Sequence, residues 1–514
     1  MYLNIVEAKT KLHKTDENVI GKLKFVKTKD IVNTPIGIGM EKGDEDLYDP
    51  KQGYPHLAEL GAKWVRIQSG WARTEKEPGV YNYAWLDDMV DNILAAGCIP
   101  WMCLCYGNSV YDEDVPKGTR GVGRPPIYSQ KAKDAWARYV KDCVEHFRGR
   151  VIYYEVWNEP DGLHCWRRGI NGKEYADFLR DTATIVKSIS ADNKIIAGSM
   201  CNRIRLKRFM EENDVGVTFD DNLGVAHFFD DWLSHNVAHL VDYITFHSYT
   251  PVPERKMDEF YKEMRETLDK YNPKIKIIQG ESGTHSRFVR EGALNSGEWT
   301  ESIQVKFLLR RLLTDVVHGA FFTSYFSLLD MYENLTEIPQ EATKEMFGTY
   351  GVLGVDFDVR GFSTGKYVPK PSYSAMQCIA TVMAEGVEKL DNEVTFCVTK
   401  NNYWGTPDID ENSPMGERLR AYTLKRHEGD IIHIYYLASP LLGFSYDGSS
   451  TLMLSKPMKR PAVLDMATGY VYEVDDNHIE FYEDKQVLLR VLLKDYPMAI
   501  VDLEDTSLKF DRSL

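Results

Sequence analysis

No stretch of these 514 residues is long and apolar enough to span a bilayer. The first thirty residues, Lys9 to Asp30 included, are mostly polar and charged and hold no apolar leader region. As written the chain reads as cytoplasmic; a native leader replaced by Met1 would make the protein periplasmic or secreted. There is no excess of positive charge. The formal net charge is −15, spread along the chain, which argues against nucleic acid or an anionic membrane as partner and favours a soluble enzyme with a neutral substrate. No phosphate-binding loop occurs, and Gly37 and Gly39 form a Gly-x-Gly without the third glycine of a dinucleotide fingerprint. The eight cysteines, at 98, 103, 105, 143, 165, 201, 378 and 397, lack paired metal spacing and read as scattered reduced thiols. His235 and His239 share a helical face, but no glutamate stands between them in the zinc-enzyme pattern, so they read as solvated or packed histidines. Neither a metal nor another cofactor is expected. Low-complexity segments and internal sequence repeats are also missing.

What is present is a regular alternation. Short β-branched or aromatic runs begin near Ile36, Trp64, Ile99, Val151, Lys194, Asp242, Ile275 and Ala320, each followed by room for a helix and two loops. Apolar residues recur at helical spacing over Ala84 to Ala96, Lys131 to Phe147, Lys173 to Ile189, Met257 to Tyr271 and Ser302 to Val317. Gly97 supplies a C-terminal stop for the first of these. A last helix follows Lys370-Pro371-Ser372-Tyr373 and runs to about Glu385. Eight strand–helix units close a barrel. From about Val387 helical periodicity fades, and strand-like runs appear at Arg420–Lys425, Ile431–Leu437, Tyr470–Val474 and Val487–Leu493. The expected fold class is α/β: a (β/α)8 TIM barrel over 36–386 with a smaller C-terminal β-sandwich over 387–514. Segment 1–35 would add a strand to that sandwich.

Barrel enzymes carry their catalytic groups where strands end and loops begin. Glu159 closes the run Val151-Ile-Tyr-Tyr-Glu-Val-Trp-Asn-Glu-Pro160, and Glu281 closes Lys276-Ile-Ile-Gln-Gly-Glu281. They fall on the fourth and seventh strands, nearly across the barrel mouth from one another. A charge at the end of an apolar strand is costly without a purpose. Cleaving a glycosidic bond needs such a pair: one carboxylic acid to protonate the leaving oxygen and one carboxylate to attack the anomeric carbon. Glu155 is the rival for Glu159, on the same face but deeper. Glu298 and Glu301 rival Glu281, but both sit at a helical start.

Trp157-Asn158-Glu159-Pro160 after an apolar strand resembles the acid/base motif of glycoside hydrolase clan A. Arg66 ending strand two, His247-Ser-Tyr249 ending strand six, and Lys370-Pro-Ser-Tyr373-Ser-Ala375 opening the last helix extend the resemblance over about Ile36 to Ala384. Within the clan, the phrase Glu155-Val-Trp-Asn-Glu-Pro-Asp161 and the added sandwich resemble family 39, the β-xylosidases and α-L-iduronidases; family 5 is the other candidate. The nucleophile segment Gly-Glu-Ser-Gly, and a strand-eight run TSYFSLLD without the clan's common tryptophan, are departures. The resemblance implies Glu159 as acid/base and Glu281 as nucleophile. It implies Asn158 on the substrate's 2-hydroxyl, Tyr249 orienting the nucleophile, and His247 and Arg66 holding the carboxylates and the sugar. Trp71, Trp166 and Tyr325, near strand ends, divide between stacking walls for sugar and ordinary core.

The function expected is retaining hydrolysis of β-glycosides, or of α-L-arabinosides with the same geometry, in plant or microbial oligosaccharides or polysaccharides. Long loops after strands three (Tyr106 to Tyr128), four and eight (Asp330 to Lys370) would wall a pocket and favour exo action of the β-xylosidase, β-galactosidase or β-glucosidase kind. An endo-glycanase of the same clan and a non-catalytic carbohydrate-binding barrel are the alternatives. A metal-dependent barrel hydrolase would need several His and Asp at strand ends, where only His247 qualifies.

Overall fold

The computed structural model describes residues 19–112, 121–167, 169–201, 228–250, 252–288, 298–332, 347–356, 365–401, 418–441, 443 and 446–512. The chain enters through β1 (Val19–Leu23) and then builds eight parallel strands that close on themselves. These are β2 (Ile36–Gly39), β3 (Trp64–Gln68), β4 (Ile99–Leu104), β5 (Tyr153–Val156), β6 (Lys194–Met200), β7 (Tyr243–His247), β8 (Lys276–Glu281) and β9 (Thr323–Tyr325). Each begins within a few residues of the position read from the sequence. All but the last of the expected helices stand within about a residue of their expected bounds.

Among the described residues the helices are, in order, α1 (Tyr54–Leu60), α2 (Trp71–Thr74), α3 (Ala84–Ala95), α4 (Gln130–His146), α5 (Gly172–Ile189), α6 (Phe228–Ser234), α7 (Met257–Tyr271), α8 (Glu301–Val317) and α9 (Pro371–Val382). Side-chain caps start three of them: Ser129, Asn171 and Thr300 accept hydrogen bonds from the amides of Ala132, Glu174 and Ile303. Gly97 follows α3 with φ +85°, and a Cβ there would press on the Lys29 backbone at 2.7 Å. α1, α2 and α6 are too short to give a helical period. α6 ends at Ser234, while His239 lies in a separate single turn, Ala238–Leu240, so His235 and His239 do not share a helical face.

The floor of the barrel is apolar. Trp64 stacks on Phe322 at 4.3 Å between centroids, with Trp101, Ile196, Tyr243 and Ile278 around them. Above this plug the inward residues become polar, led by Arg66 and Glu155, both without exposed surface. Two bulges set what stands at the rim. Between Ala197 and Met200 the β6–β7 register shifts, with Gly198 and Ser199 at positive φ. Between Phe246 and His247 the β7–β8 register shifts again, so that Glu281 pairs with His247. Gly280 permits that approach, since a Cβ there would collide with Thr245 Oγ1.

After α9 the chain forms a sandwich of two antiparallel sheets. The larger runs in the order Val387–Leu390, Leu419–Arg426, Ile431–Leu437, Met498–Asp502, Pro461–Asp465, Tyr470–Glu473, β1, Phe510–Asp511. The smaller is Val394–Asn401, Gly448–Leu454, Lys485–Leu493, Ile479–Tyr482. β1 therefore lies between two strands from the far end of the chain. α8 joins barrel to sandwich through buried charges. Lys306 pairs with Asp495 at 2.6 Å, and Arg310 holds Glu254 through two 2.7 Å bonds while donating to the Ser439 carbonyl at 2.8 Å. No helix among the described residues is long and apolar enough to cross a membrane. All eight cysteines are free.

Candidate active site

Arg66 is the hub. Rising from β3 into the barrel, it grips Glu155 with Nε and Nη2 at 2.9 and 2.5 Å and donates from Nη1 to Glu281 Oε2 at 2.6 Å. Nη2 also reaches Asn158 Oδ1 at 2.8 Å, and Nη1 reaches Glu41 Oε1 at 3.3 Å. One guanidinium thus ties the ends of β2, β3, β5 and β8 together, which its planar fork of donors suits it to do. The Glu155 carboxyl meets the cost of burial through Arg66, the Trp101 indole (2.8 Å) and the Ser199 hydroxyl, and is held below its ordinary value. Glu155 is therefore the anchor of the hub rather than a rival for Glu159.

The Trp157-Asn158-Glu159 turn is strained. Trp157 has φ +68° and Glu159 φ +47°, left-handed conformations that cost a side-chain-bearing residue about 1–3 kcal/mol each. Asn158 is fixed between Arg66 and the Tyr106 hydroxyl, to which its amide donates at 2.9 Å, and Cys165 Sγ lies 3.5 Å from the same nitrogen. Glu159 takes a 2.7 Å bond from His247 Nδ1 on Oε1 and a very short one from His164 on Oε2. Burial opposes its ionisation, but the hydrogen bonds and charges of the two imidazoles outweigh burial and hold the carboxyl well below the usual carboxylate range. His164 rises correspondingly to about 11 through its contacts with Cys165 and Glu159. Its side chain is 62% exposed.

His247 stands between the two carboxylates. Its Nδ1 is 2.7 Å from Glu159 and 3.7 Å from Glu281. Its Nε2 is 3.3 Å from Ser199 Oγ. The Ser199 hydroxyl donates to Glu155, so it accepts from His247, and both imidazole nitrogens donate. That is the charged form. Burial resists it, while Glu281 and Glu159 push the pKa up. The Tyr249 hydroxyl donates to Glu281 Oε1 at 2.7 Å. Carboxylate oxygens of Glu159 and Glu281 lie within 4.8 Å of one another, with His247 equally near. A second group, Glu159, His164 and Cys165, converges as closely. Both groups are accounted for by the hydrogen bonds just described.

Six of the nine residues expected from the sequence thus meet in one site: Glu159, Glu281, Asn158, Arg66, His247 and Tyr249. Trp71, Trp166 and Tyr325 do not form stacking walls; each is at most 1% exposed. Trp71 is sandwiched between Tyr111 and Tyr139 with its indole bound to Glu75, and Trp166 is wedged edge-on among Trp157, Tyr175 and Phe178. The Tyr325 hydroxyl lies over the backbone of Thr284. Sequence reasoning missed Tyr106, His164, Ser199 and Glu41. The one local signal for His164 is its place within five residues of Glu159. Parts of the loops expected to wall the pocket, 113–120, 333–346 and 357–364, lie outside the described residues.

Solved structures share this fold over nearly the whole chain. A family 39 glycoside hydrolase from the gut symbiont Bacteroides cellulosilyticus WH2 aligns with a TM-score of 0.57 at 15% identity, covering 91% of this chain and 80% of its own. A family 39 enzyme from Xanthomonas axonopodis pv. citri gives 0.55 at 14%, covering 94% and 95%. A monomeric β-xylosidase from Caulobacter crescentus CB15 gives 0.54 at 14%, covering 95% and 97%. No curated protein matches the sequence. Residues 59–409 match the profile of the glycosyl hydrolases family 39, and the chain belongs to that family.

Proposed function

We propose that the protein releases single sugars from the ends of β-glycosides by double displacement, with Glu281 as nucleophile and Glu159 as acid/base. The observation that carries this reading is that a carboxylate oxygen of Glu159 lies within 4.8 Å of one of Glu281. Retaining enzymes hold their carboxyl groups about 5–5.5 Å apart, whereas inverting ones need roughly 6.5–9.5 Å to admit water between them.

Glu281 attacks the anomeric carbon while the bond to the leaving oxygen breaks. Arg66 and Tyr249, bound to its two oxygens, fix the carboxylate's orientation. The leaving oxygen takes a proton from the Glu159–His164 pair, which holds one between them. When the aglycone displaces the imidazole from Oε2, that proton passes to the carboxyl. Glu159 then removes a proton from water, which attacks the glycosyl-enzyme and frees Glu281. Asn158, clamped by Arg66 and Tyr106, would meet the sugar's 2-hydroxyl. The β-xylosidase among the structural neighbours makes a β-xyloside the first sugar to try; an α-L-arabinoside presents the same geometry. The division into 1–35, 36–386 and 387–514 fits this reading, with the sandwich bracing the barrel through α8.

Release of 4-nitrophenol from β-xyloside, β-galactoside, β-glucoside, β-mannoside and α-L-arabinoside tests the proposal, with wild type beside Glu281→Gln. One sugar should be cleaved with retention of anomeric configuration, and the variant should be silent. Shortening of polysaccharide without release from any aryl glycoside would replace exo action with endo action. Activity surviving in Glu281→Gln would remove the nucleophile assignment.

A further inference from the structure

Glu41 lies two residues beyond β2 and has not entered the mechanism so far. Its carboxyl folds back over Gly39, where a Cβ would collide with Oε2 and stand 2.7 Å from Cδ; the glycine is the notch that receives it. The residue is 1% exposed. Oε1 takes a long 3.3 Å bond from Arg66 Nη1, the nitrogen that also serves Glu281 at 2.6 Å. Oε2 has no hydrogen-bond partner. The side chains facing Glu41 are Arg66 from β3, Glu281 from β8, and Tyr48, whose hydroxyl donates to the Met40 carbonyl; Asp44 lies near Tyr48. The Lys42 ammonium binds Glu45, and Gln68 is committed to the Lys42 amide and the Tyr106 hydroxyl.

The charges of the site then count out. Within the hydrogen-bonded network itself, Arg66, His247 and His164 are the cationic groups and Glu155, Glu159 and Glu281 the carboxylates, three of each. An ionised Glu41 would be a fourth anion there, with one buried oxygen lacking a hydrogen-bond partner, which is costly. We propose that Glu41 is carried protonated through neutral pH, and that its proton keeps Arg66 Nη1 committed to Glu281. Glu41 is thus a positioning residue for the nucleophile, acting through Arg66. This rests on the reading of Glu281 as nucleophile. Burial pushes the Glu41 carboxyl up to about 8, with Arg66 opposing the shift and Glu281 adding to it. Below that pH the group is neutral. Above it, Nη1 has two anions to serve, the grip on Glu281 loosens, and kcat/KM falls. The Glu159–His164 pair keeps its proton to higher pH, so Glu41 titrates before that pair.

The first test needs no substrate. Carboxyl-13C NMR of the full chain labelled at glutamate Cδ should show one glutamate that is neutral at pH 7 and titrates near 8, and Glu41→Gln should delete that resonance. The glutamate label excludes the raised carboxyls of Asp330 and Asp495. Glu41→Gln cannot ionise, so the alkaline limb of its kcat/KM profile should lie about one pH unit or more above that of wild type. Absence of a glutamate titrating in that range overturns the proposal, and so does an alkaline limb shared by the two proteins. The NMR result on wild type stands even if Glu41→Gln does not fold. A chain that shows the resonance but cleaves no glycoside would sink the glycosidase mechanism while leaving the protonated Glu41 in place.

Discussion

His164 is an exposed imidazole on the oxygen that must protonate the leaving group, and its loss should be felt according to what is leaving. In His164→Ala the proton shared by the pair must reside on Glu159 alone, beside His247. Because His164 is pushed up to about 11 in the pair, its removal lowers the pH at which that proton is lost, and the alkaline limb moves down. General acid catalysis contributes about 10²–10⁴-fold, so a poor leaving group such as a methyl or alkyl aglycone should lose at least tenfold in kcat/KM. A 2,4-dinitrophenyl aglycone, which departs without a proton, should be nearly unaffected. Equal losses on both substrates would show that His164 only supports the turn. Glu159 and Glu281 were legible in the sequence because a charge ending an apolar strand needs a reason. Glu41 was not, since its contact with Arg66 spans 25 positions and depends on a glycine notch that no periodicity reveals. Trp71 and Trp166 look the same in sequence whether they face a sugar or other aromatics, because only the folded chain brings Tyr111 and Tyr139 onto the one and turns Trp157, Tyr175 and Phe178 onto the other.

Among the elements, α8 shows how far periodicity can be read. Its bounds were legible, but its buried charges were not, because one face meets the sandwich rather than solvent. The Lys306–Asp495 pair has both side chains 2% exposed. Lys306→Met leaves Asp495 without its cation and should cost about 3–5 kcal/mol at neutral pH, read as a lower midpoint in denaturant unfolding. Burial already raises the Asp495 pKa, and losing the lysine raises it further. An acid whose folded pKa is raised destabilises the fold as pH climbs above its unfolded value, so the penalty should shrink on acidification toward the ordinary carboxylate range. Adding Asp495→Asn should recover much of the loss; a penalty independent of pH would assign it to packing. The sandwich itself was only half visible. Gly448–Leu454, Pro461–Asp465 and Met498–Asp502 are buried on both faces for most of their length and so lack the alternation that marks a half-exposed strand.

The whole molecule is held by connections between its extremes. β1 completes the larger sheet by pairing Val19 with Tyr472 and Leu23 with Phe510, while α8 couples that sandwich to the barrel. Removing residues through Leu23 should free the short strand at Phe510–Asp511 and expose the edge of Tyr470–Glu473. Scanning calorimetry should then show a midpoint lowered by roughly 5 °C, with kcat at room temperature kept, since β1 is remote from Glu159 and Glu281. A drop in kcat without a change in midpoint would mean that the sandwich shapes the site as well as bracing it.

That same pairing has a consequence for how the protein is made. Val19 is among the first described residues to leave the ribosome, and its partner Tyr472 is made 453 positions later. At about 5–20 residues per second that is a wait of tens of seconds to more than a minute. The barrel strands emerge in order and can close against their neighbours during this interval, while the leading strand stays without its sheet. β1 is thereby held in waiting through 453 positions of synthesis, and its sheet is filled only when Tyr470–Glu473, Met498–Asp502 and Phe510–Asp511 have followed.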